Sequence, residues 1–178
     1  MSESGPDIYD ASAYHWAQGS DAMTRQQKQT DAIDAYVDAF TNLTPENLDQ
    51  LVALVADDVR FVDPFNDVHG RAAFRAIFTH MFETTIDPIF TVSDIAVSTG
   101  KNPHIAYIRW RMTARTDGRP SLNLDLAGMS EVHINEEGLV RAHIDHWDSA
   151  SQLLARLPFI GFLVRRLLRL FVVKTPIA

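Results

Sequence analysis

The sequence predicts an α+β fold: a mostly antiparallel sheet with helices packed against one side. Three observations carry that expectation. Apolar residues recur with helical spacing in three segments between residues 30 and 82. They alternate with strand spacing in the segments 89–98, 104–115, 121–134 and 139–148. One short alternating strand, Val59–Asp63, lies between the second and third helices, and helices followed by a run of strands are the pattern of an α+β plan.

Residues 1–28 are polar with no sustained period, and read as a mobile N-terminal arm with a short helix around Tyr14–Gln18. Ile33, Tyr36, Val37 and Phe40 then fall at i, i+3, i+4 and i+7, the stripe of a first helix. Thr44 and Pro45 restart the chain as an N-cap followed by proline in the first turn. Leu48, Leu51, Val52 and Val55 give a second helix, ended by Asp57 and Asp58. Val59, Phe61 and Asp63 share one strand face until Pro64 stops the strand, and Asn66-Asp67 suits a turn. Gly70 opens a third helix whose stripe is Phe74, Ile77, Phe78, Met81 and Phe82.

Long strands follow. Ala106, Ile108, Trp110, Met112 and Ala114 share one face, with Tyr107, Arg109, Arg111 and Arg115 on the other. Asp117-Gly118 signals a hairpin. Leu122, Leu124, Leu126, Ser130, Val132 and Ile134 share a face of the next strand if no bulge intervenes, and Glu136-Glu137-Gly138 turns the chain into the last. The organisation expected is an arm at 1–28, a globular domain at 29–155 and an amphipathic basic helix at 156–178.

Composition bounds the function. The 178 residues include no cysteine, which excludes disulfides, thiolate chemistry and Cys-ligated metals. A net charge of −7 argues against non-specific nucleic-acid binding. That charge is uneven. Arg156, Arg165, Arg166, Arg169 and Lys174 follow Asp148 with no acidic residue among them, so residues 156–178 carry +5 and the remainder −12. The start of the chain lacks a basic and an apolar leader segment, so a cytoplasmic location is expected.

Two places concentrate polar side chains on apolar strand faces. Asp63 shares its face with Val59 and Phe61, and an acid held in low dielectric can exchange a proton near neutral pH. The alternative is a carboxylate that caps the following turn through Asn66 or Asp67. In the last strand His143, Asp145 and Trp147 alternate on one face and Ile144, His146 and Asp148 on the other. The alternative there is a half-exposed strand with its polar residues in water and Val140, Ala142 and Ile144 buried. His143 and His146 point to opposite faces, so they cannot close one metal site, and no metal or cofactor is expected.

The stretch LVALVADDVRFVDPFNDVHGRAAFRAIF resembles the NTF2-like superfamily, in particular its ketosteroid isomerase-like and SnoaL-like branches. The resemblance covers roughly residues 30–150 and implies a cone-shaped sheet around an apolar pocket. It implies Asp63 as general base and Tyr36 as the donor to an enolate oxygen. The second donor of the isomerases, a neutral aspartic acid, falls at Ser130, where the match breaks. Isomerases of this kind tune acidity by burial. The resemblance also turns His143, Asp145 and Trp147 into the pocket, with Asp145 where epoxide hydrolases and SnoaL-like cyclases keep an aspartate. Phe61, Trp110, Met112, Ser130 and Trp147 are the expected substrate contacts. A cofactor-independent isomerase or cyclase of a hydrophobic carbonyl compound is implied. Epoxide hydrolysis is a variant that would need an arginine between two aspartates. A non-catalytic lipid-like binder is the alternative, and a homodimer is the expected assembly.

The segment 157–173 is strongly apolar but interrupted by Arg165, Arg166 and Arg169. Those arginines read as one helical side, opposite Phe162, Leu163, Leu167 and Leu170. Two roles fit: an interfacial helix for an anionic membrane surface, or a helix that covers the sheet, closes the pocket mouth or joins a dimer.

Overall fold

The computed structural model describes the backbone of residues 11–98 and 104–172 and the side chains of 26–98 and 104–172. The first ten residues of the expected arm, and Lys174, lie outside the described residues.

A long helix, α1 (Ala11–Thr41), comes first and takes in the short helix expected near Tyr14. α2 (Leu48–Ala53), β1 (Val55–Val62), β2 (Asp67–His69) and α3 (Arg71–Thr84) follow. Four long strands succeed them: β3 (Thr85–Val97), β4 (Ile105–Thr116), β5 (Asn123–Ile134) and β6 (Val140–Trp147). The chain then continues into α4 (Ser149–Gln152), a 3-10 turn (Leu154–Arg156), α5 (Ile160–Leu168) and a second 3-10 turn (Arg169–Phe171). The six strands form one sheet in the order β2-β1-β6-β5-β4-β3. Every neighbouring pair is antiparallel except β1 with β6. The outcome is the α+β plan that the strand and helix periods predict, in the NTF2-like form that the resemblance implies.

The inner face of the sheet packs under α1, α2 and α3. Ile33 and Tyr36 from α1, Leu51 from α2 and Phe74 and Phe78 from α3 meet Val59, Phe61, Ala106, Ile108 and Val132 from the strands. Phe74 is fully buried, and truncating a residue of that size to alanine costs about 3–5 kcal/mol. β4 and β5 pair without a register shift from Ile105↔His133 to Arg115↔Asn123, so the expected inner faces survive along both strands.

Several local readings are corrected. Val55 does not close the second helix but opens β1. Val140 N–H donates to Leu54 O at 2.9 Å and Val55 pairs with Val140, so sheet pairing overrides helical spacing. Thr44 does not cap that helix. Asn47 takes the cap position and ties the approach together, accepting from Thr44 N at 2.7 Å and donating to Asn42 O at 2.6 Å. Of the expected turn Asn66-Asp67, Asn66 stays in the turn while Asp67 opens β2 and pairs with β1, where Arg60 clasps Asp67 across the ladder at 2.7 and 2.9 Å. β3 begins at Thr85 rather than near residue 89. Pro88, which has no N–H to give, sits in a register shift between Ile86 and Ile89. In α5, Phe162 lies one turn before Arg166 and so shares the arginine side rather than opposing it.

Candidate functional site

The concave face of the sheet, α1 and α3 enclose a cavity of about 470 Å³. That falls in the range of small-molecule sites, ~300–1,000 Å³. Its wall is aromatic and aliphatic, with Phe40, Phe61, Phe90, Trp110, Met112 and Trp147 among the lining. The acids Asp63 and Asp145 both border it, with Tyr36, Ser130, His143, Asn66 and His80 as further polar groups.

Sheet register explains why the polar groups meet. Ile108, Ser130 and Asp145 form one row across β4, β5 and β6. Ala106, Val132 and His143 form the row beside it, and Trp110, Gly128 and Trp147 the row on the other side. Each side chain of a row stands on the same face of the sheet.

A chain of hydrogen bonds runs through these rows. Trp110 Nε1–H donates to Ser130 Oγ at 2.8 Å, and the Ser130 hydroxyl donates to Asp145 Oδ1 at 2.5 Å. His143 Nε2 lies 2.9 Å from the same Oδ1, and Tyr36 OH lies 2.9 Å from His143 Nδ1. Indole can only donate, which fixes the direction at Ser130. With the tyrosine hydroxyl donating to Nδ1, it is Nε2–H that donates to Asp145 Oδ1. Burial, reinforced by the charge of Asp145, pushes the Tyr36 phenol well above its ordinary acidity range, so it stays a donor. His143 is buried, stacked on Phe61 at 5.1 Å between centroids and flanked by Phe40 at 5.4 Å. Asp145 Oδ2 accepts no hydrogen bond among the described residues.

Asp63 stands differently. It follows the end of β1, half-buried at the cavity rim. Its Oδ1 accepts from Phe65 N and Asn66 N, both at 2.7 Å, and Asn66 Nδ2 reaches both oxygens at 3.0 Å. Those bonds hold the Pro64–Asn66 turn, the alternative that sequence spacing left open. Phe65, half exposed on that turn, meets Trp147 edge to face at 5.8 Å.

Phe61, Trp110, Met112 and Trp147 line the cavity as expected of wall residues. Trp110 and Ser130 are more than wall, since they deliver a hydrogen bond to Asp145 through one another. Gly128 went unrecognised from the sequence. A Cβ built there would lie 2.7 Å from Trp110 Cζ2 and 2.8 Å from Trp147 Cβ, so only glycine lets the indole cross β5. Its signal was a gap in the apolar alternation between Leu126 and Ser130. The arginines of β4 sit on the outer face, where Arg111 pairs with Asp125 at 2.6 Å. No arginine borders the cavity among the described residues.

The sequence pattern of the SnoaL-like domain family matches residues 33–143, well over half of the chain. The chain belongs to the SnoaL-like domain family. Solved structures of the same superfamily share its fold. A provisionally named polyketide cyclase from Xanthomonas campestris pv. campestris superposes with a TM-score of 0.57 at 18% identity, over 71% of this chain and 95% of its own. A Mycobacterium tuberculosis protein in complex with estradiol-17beta-hemisuccinate gives 0.55 at 15% identity, over 68% and 94%. A provisionally named ketosteroid isomerase from Kribbella flavida gives 0.52 at 20%, over 68% and 78%. No curated protein matches the sequence. At these identities the SnoaL-like chain shares architecture with its structural neighbours, and its chemistry has to be argued from its own residues.

Proposed function

We propose that this SnoaL-like protein is a cofactor-independent isomerase or cyclase of a hydrophobic carbonyl compound, with Asp145 as its proton-transferring base. One observation carries the reading. Asp145 presents an Oδ2 that accepts no hydrogen bond among the described residues beside an apolar cavity, while its Oδ1 is fixed by Ser130 and His143.

Asp145 Oδ2 would take a proton from the carbon next to the carbonyl, and the bonding electrons would move to the carbonyl oxygen as an enolate. Return of the proton to a different carbon completes an isomerisation. Attack of the enolate carbon on a second carbonyl within the same molecule, with the proton held by Asp145 passing to the new alkoxide, completes an aldol cyclisation. Ser130 and His143 act as positioning residues that hold the carboxylate, and Tyr36 holds His143 in the tautomer that donates to it. Asp63, the base expected from the resemblance, is assigned to anchoring the rim turn instead, since its Oδ1 accepts three hydrogen bonds from Phe65 and Asn66 and its Oδ2 one from Asn66.

A second reading, a non-catalytic binder of a lipid-like ligand, rests on the same network. Tyr36 OH and Trp110 N–H, the donors best placed for an enolate oxygen, are both spent inside the protein. The epoxide-hydrolase variant loses support because its arginine is missing from the described lining.

The experiment uses a panel of steroid enones and poly-β-ketones. Binding is followed by the fluorescence of Trp110 and Trp147, and turnover by product analysis. Asp145→Asn should keep binding and lose turnover by roughly 10²–10⁴-fold, the usual contribution of general base catalysis. Asp63→Asn, which keeps an acceptor oxygen for the turn, should lose far less. Turnover that survives Asp145→Asn overturns the assignment, and binding without turnover in the wild type selects the binder.

A further inference from the structure

The end of the described chain is unlike the rest of its surface. α5 turns Gly161, Val164 and Leu168 toward the protein, and Gly161 is buried so closely that a Cβ there would lie 2.6 Å from Ala155 O. Its other apolar residues face away. Phe159 is 93% exposed, Phe171 80% and Leu170 76%, and Leu163 and Leu167 join them. A packing helix would hide such side chains, so α5 does not cover the sheet. These residues form a contiguous apolar strip of the kind that marks an interaction site.

Beside the strip stand Arg165, Arg166 and Arg169, all exposed. None forms an ion pair with an acid among the described residues, and the Arg165 guanidinium reaches only the carbonyl of Ala155. The backbone adds a second sign. Phe159 has φ 64° and ψ −63°, with Ile160 N–H donating to Pro158 O at 2.8 Å. This is the strained hand of the γ-turn, which a side chain adopts rarely. Glycine would relieve it, yet the position carries a phenyl ring held out into solvent. Strain kept in this way is associated with functional surfaces.

We infer that α5 and the turn before it dock onto a bilayer that contains anionic phospholipid. An apolar strip edged by arginines, with no acid from residue 149 onward, complements acyl chains and anionic headgroups together. A second copy of the chain fits less well. A two-fold contact through this strip would set arginine rim against arginine rim, and the segment holds no carboxylate to relieve them. No helix among the described residues is long and apolar enough to cross a membrane, so the contact is interfacial. Membrane docking through α5 stands apart from the chemistry of the cavity.

The test is flotation of the full chain with vesicles of phosphatidylcholine alone and of phosphatidylcholine mixed with phosphatidylserine, at low and high salt. The wild type should partition onto the mixed vesicles and weaken as salt rises. R165Q/R166Q/R169Q should bind them roughly a hundredfold less, at about fivefold per basic residue. F159S/L163S/L170S should lose both vesicle types, with circular dichroism and thermal melting checking that each variant is folded. Three results would overturn the inference: wild-type protein that ignores mixed vesicles, an arginine variant that binds them equally, or a dimer that F159S/L163S/L170S dissociates while vesicles go unbound.

Discussion

Ser130 and Asp145 are direct partners across the β5–β6 ladder, and their side chains meet at 2.5 Å. The serine hydroxyl has one proton to give and gives it to the carboxylate, while its oxygen receives the Trp110 indole. Ser130→Ala therefore strips a bond from Asp145 and leaves an indole N–H without its partner in a partly buried place. An orphaned donor of that sort costs about 1–3 kcal/mol. Urea unfolding should register a loss of that size, and the fall in turnover should be smaller than for Asp145→Asn. A Ser130→Thr variant that restores both would show that the hydroxyl, rather than the small volume, is what matters.

Tyr36 gives an alkaline signature. Its folded-state pKa is raised by burial and by the charge of Asp145, so the folded chain holds the phenol proton where the unfolded chain has released it. Its contribution is full below the ordinary tyrosine range near pH 10 and declines as pH rises beyond it. Ultraviolet titration should show one of the four tyrosines silent until the protein unfolds. Tyr36→Phe should flatten the alkaline loss of stability. A phenolate signal from all four while near-ultraviolet dichroism stays native would contradict this.

The fold was legible where period and neighbours agreed. The stripe Phe74-Ile77-Phe78 and the alternation of β4 and β5, interrupted at Gly128, each point to one structure, and each formed it. The inward set of β6 was not legible from alternation, because Val140, Ala142 and Ile144 offered an equally apolar face. The superfamily likeness resolved it, since the sheet is covered on the inside and His143 is buried. The roles of the two acids were beyond the sequence for a different reason. Asp63 and Asp145 both end up beside one cavity, and it is their hydrogen-bond partners that set them apart. Those partners are Ser130 on β5 and His143 two residues earlier on β6 for Asp145, and Phe65 and Asn66, two and three residues onward, for Asp63. α2 was overdrawn because Val55 satisfies a helical stripe and a strand equally, and Val140, distant in sequence, decides between them.

Gly128 should tolerate no side chain. In Gly128→Ala the new methyl would sit within contact of the Trp110 ring, the Trp147 Cβ and the backbone of His146. The ring can yield only by moving its Nε1 off Ser130, since the two strands on either side are hydrogen-bonded in register. Overpacking typically costs about 1–3 kcal/mol. The expected result is a stability loss in that range together with a shift in tryptophan emission and weaker ligand binding. Unchanged emission and stability would mean that the indole does not cross β5 as described.

At the acid end, Asp148 controls the exit from the sheet into α4. It caps that helix, accepting from Ser151 N at 3.0 Å and from the Ser151 hydroxyl, and those bonds hold its carboxyl below the usual carboxylate range. Asp67 and Asp125 are lowered as well, by the side-chain hydrogen bonds of Arg60 and Arg111. These two pairs are exposed and screened by salt, so their share is small. For a carboxylate with a lowered folded value, the stabilisation is complete above the unfolded value and disappears as pH falls through the folded one. Asp148→Ala should thus cost about 1 kcal/mol at neutral pH, the usual worth of a cap. The gap between variant and wild type should close once the medium is acidic enough to protonate Asp148 in the native protein. Denaturant unfolding at neutral pH and at successively lower pH measures that gap. A difference that stays constant into strong acid would assign the effect to the packing of α4 rather than to the charged cap.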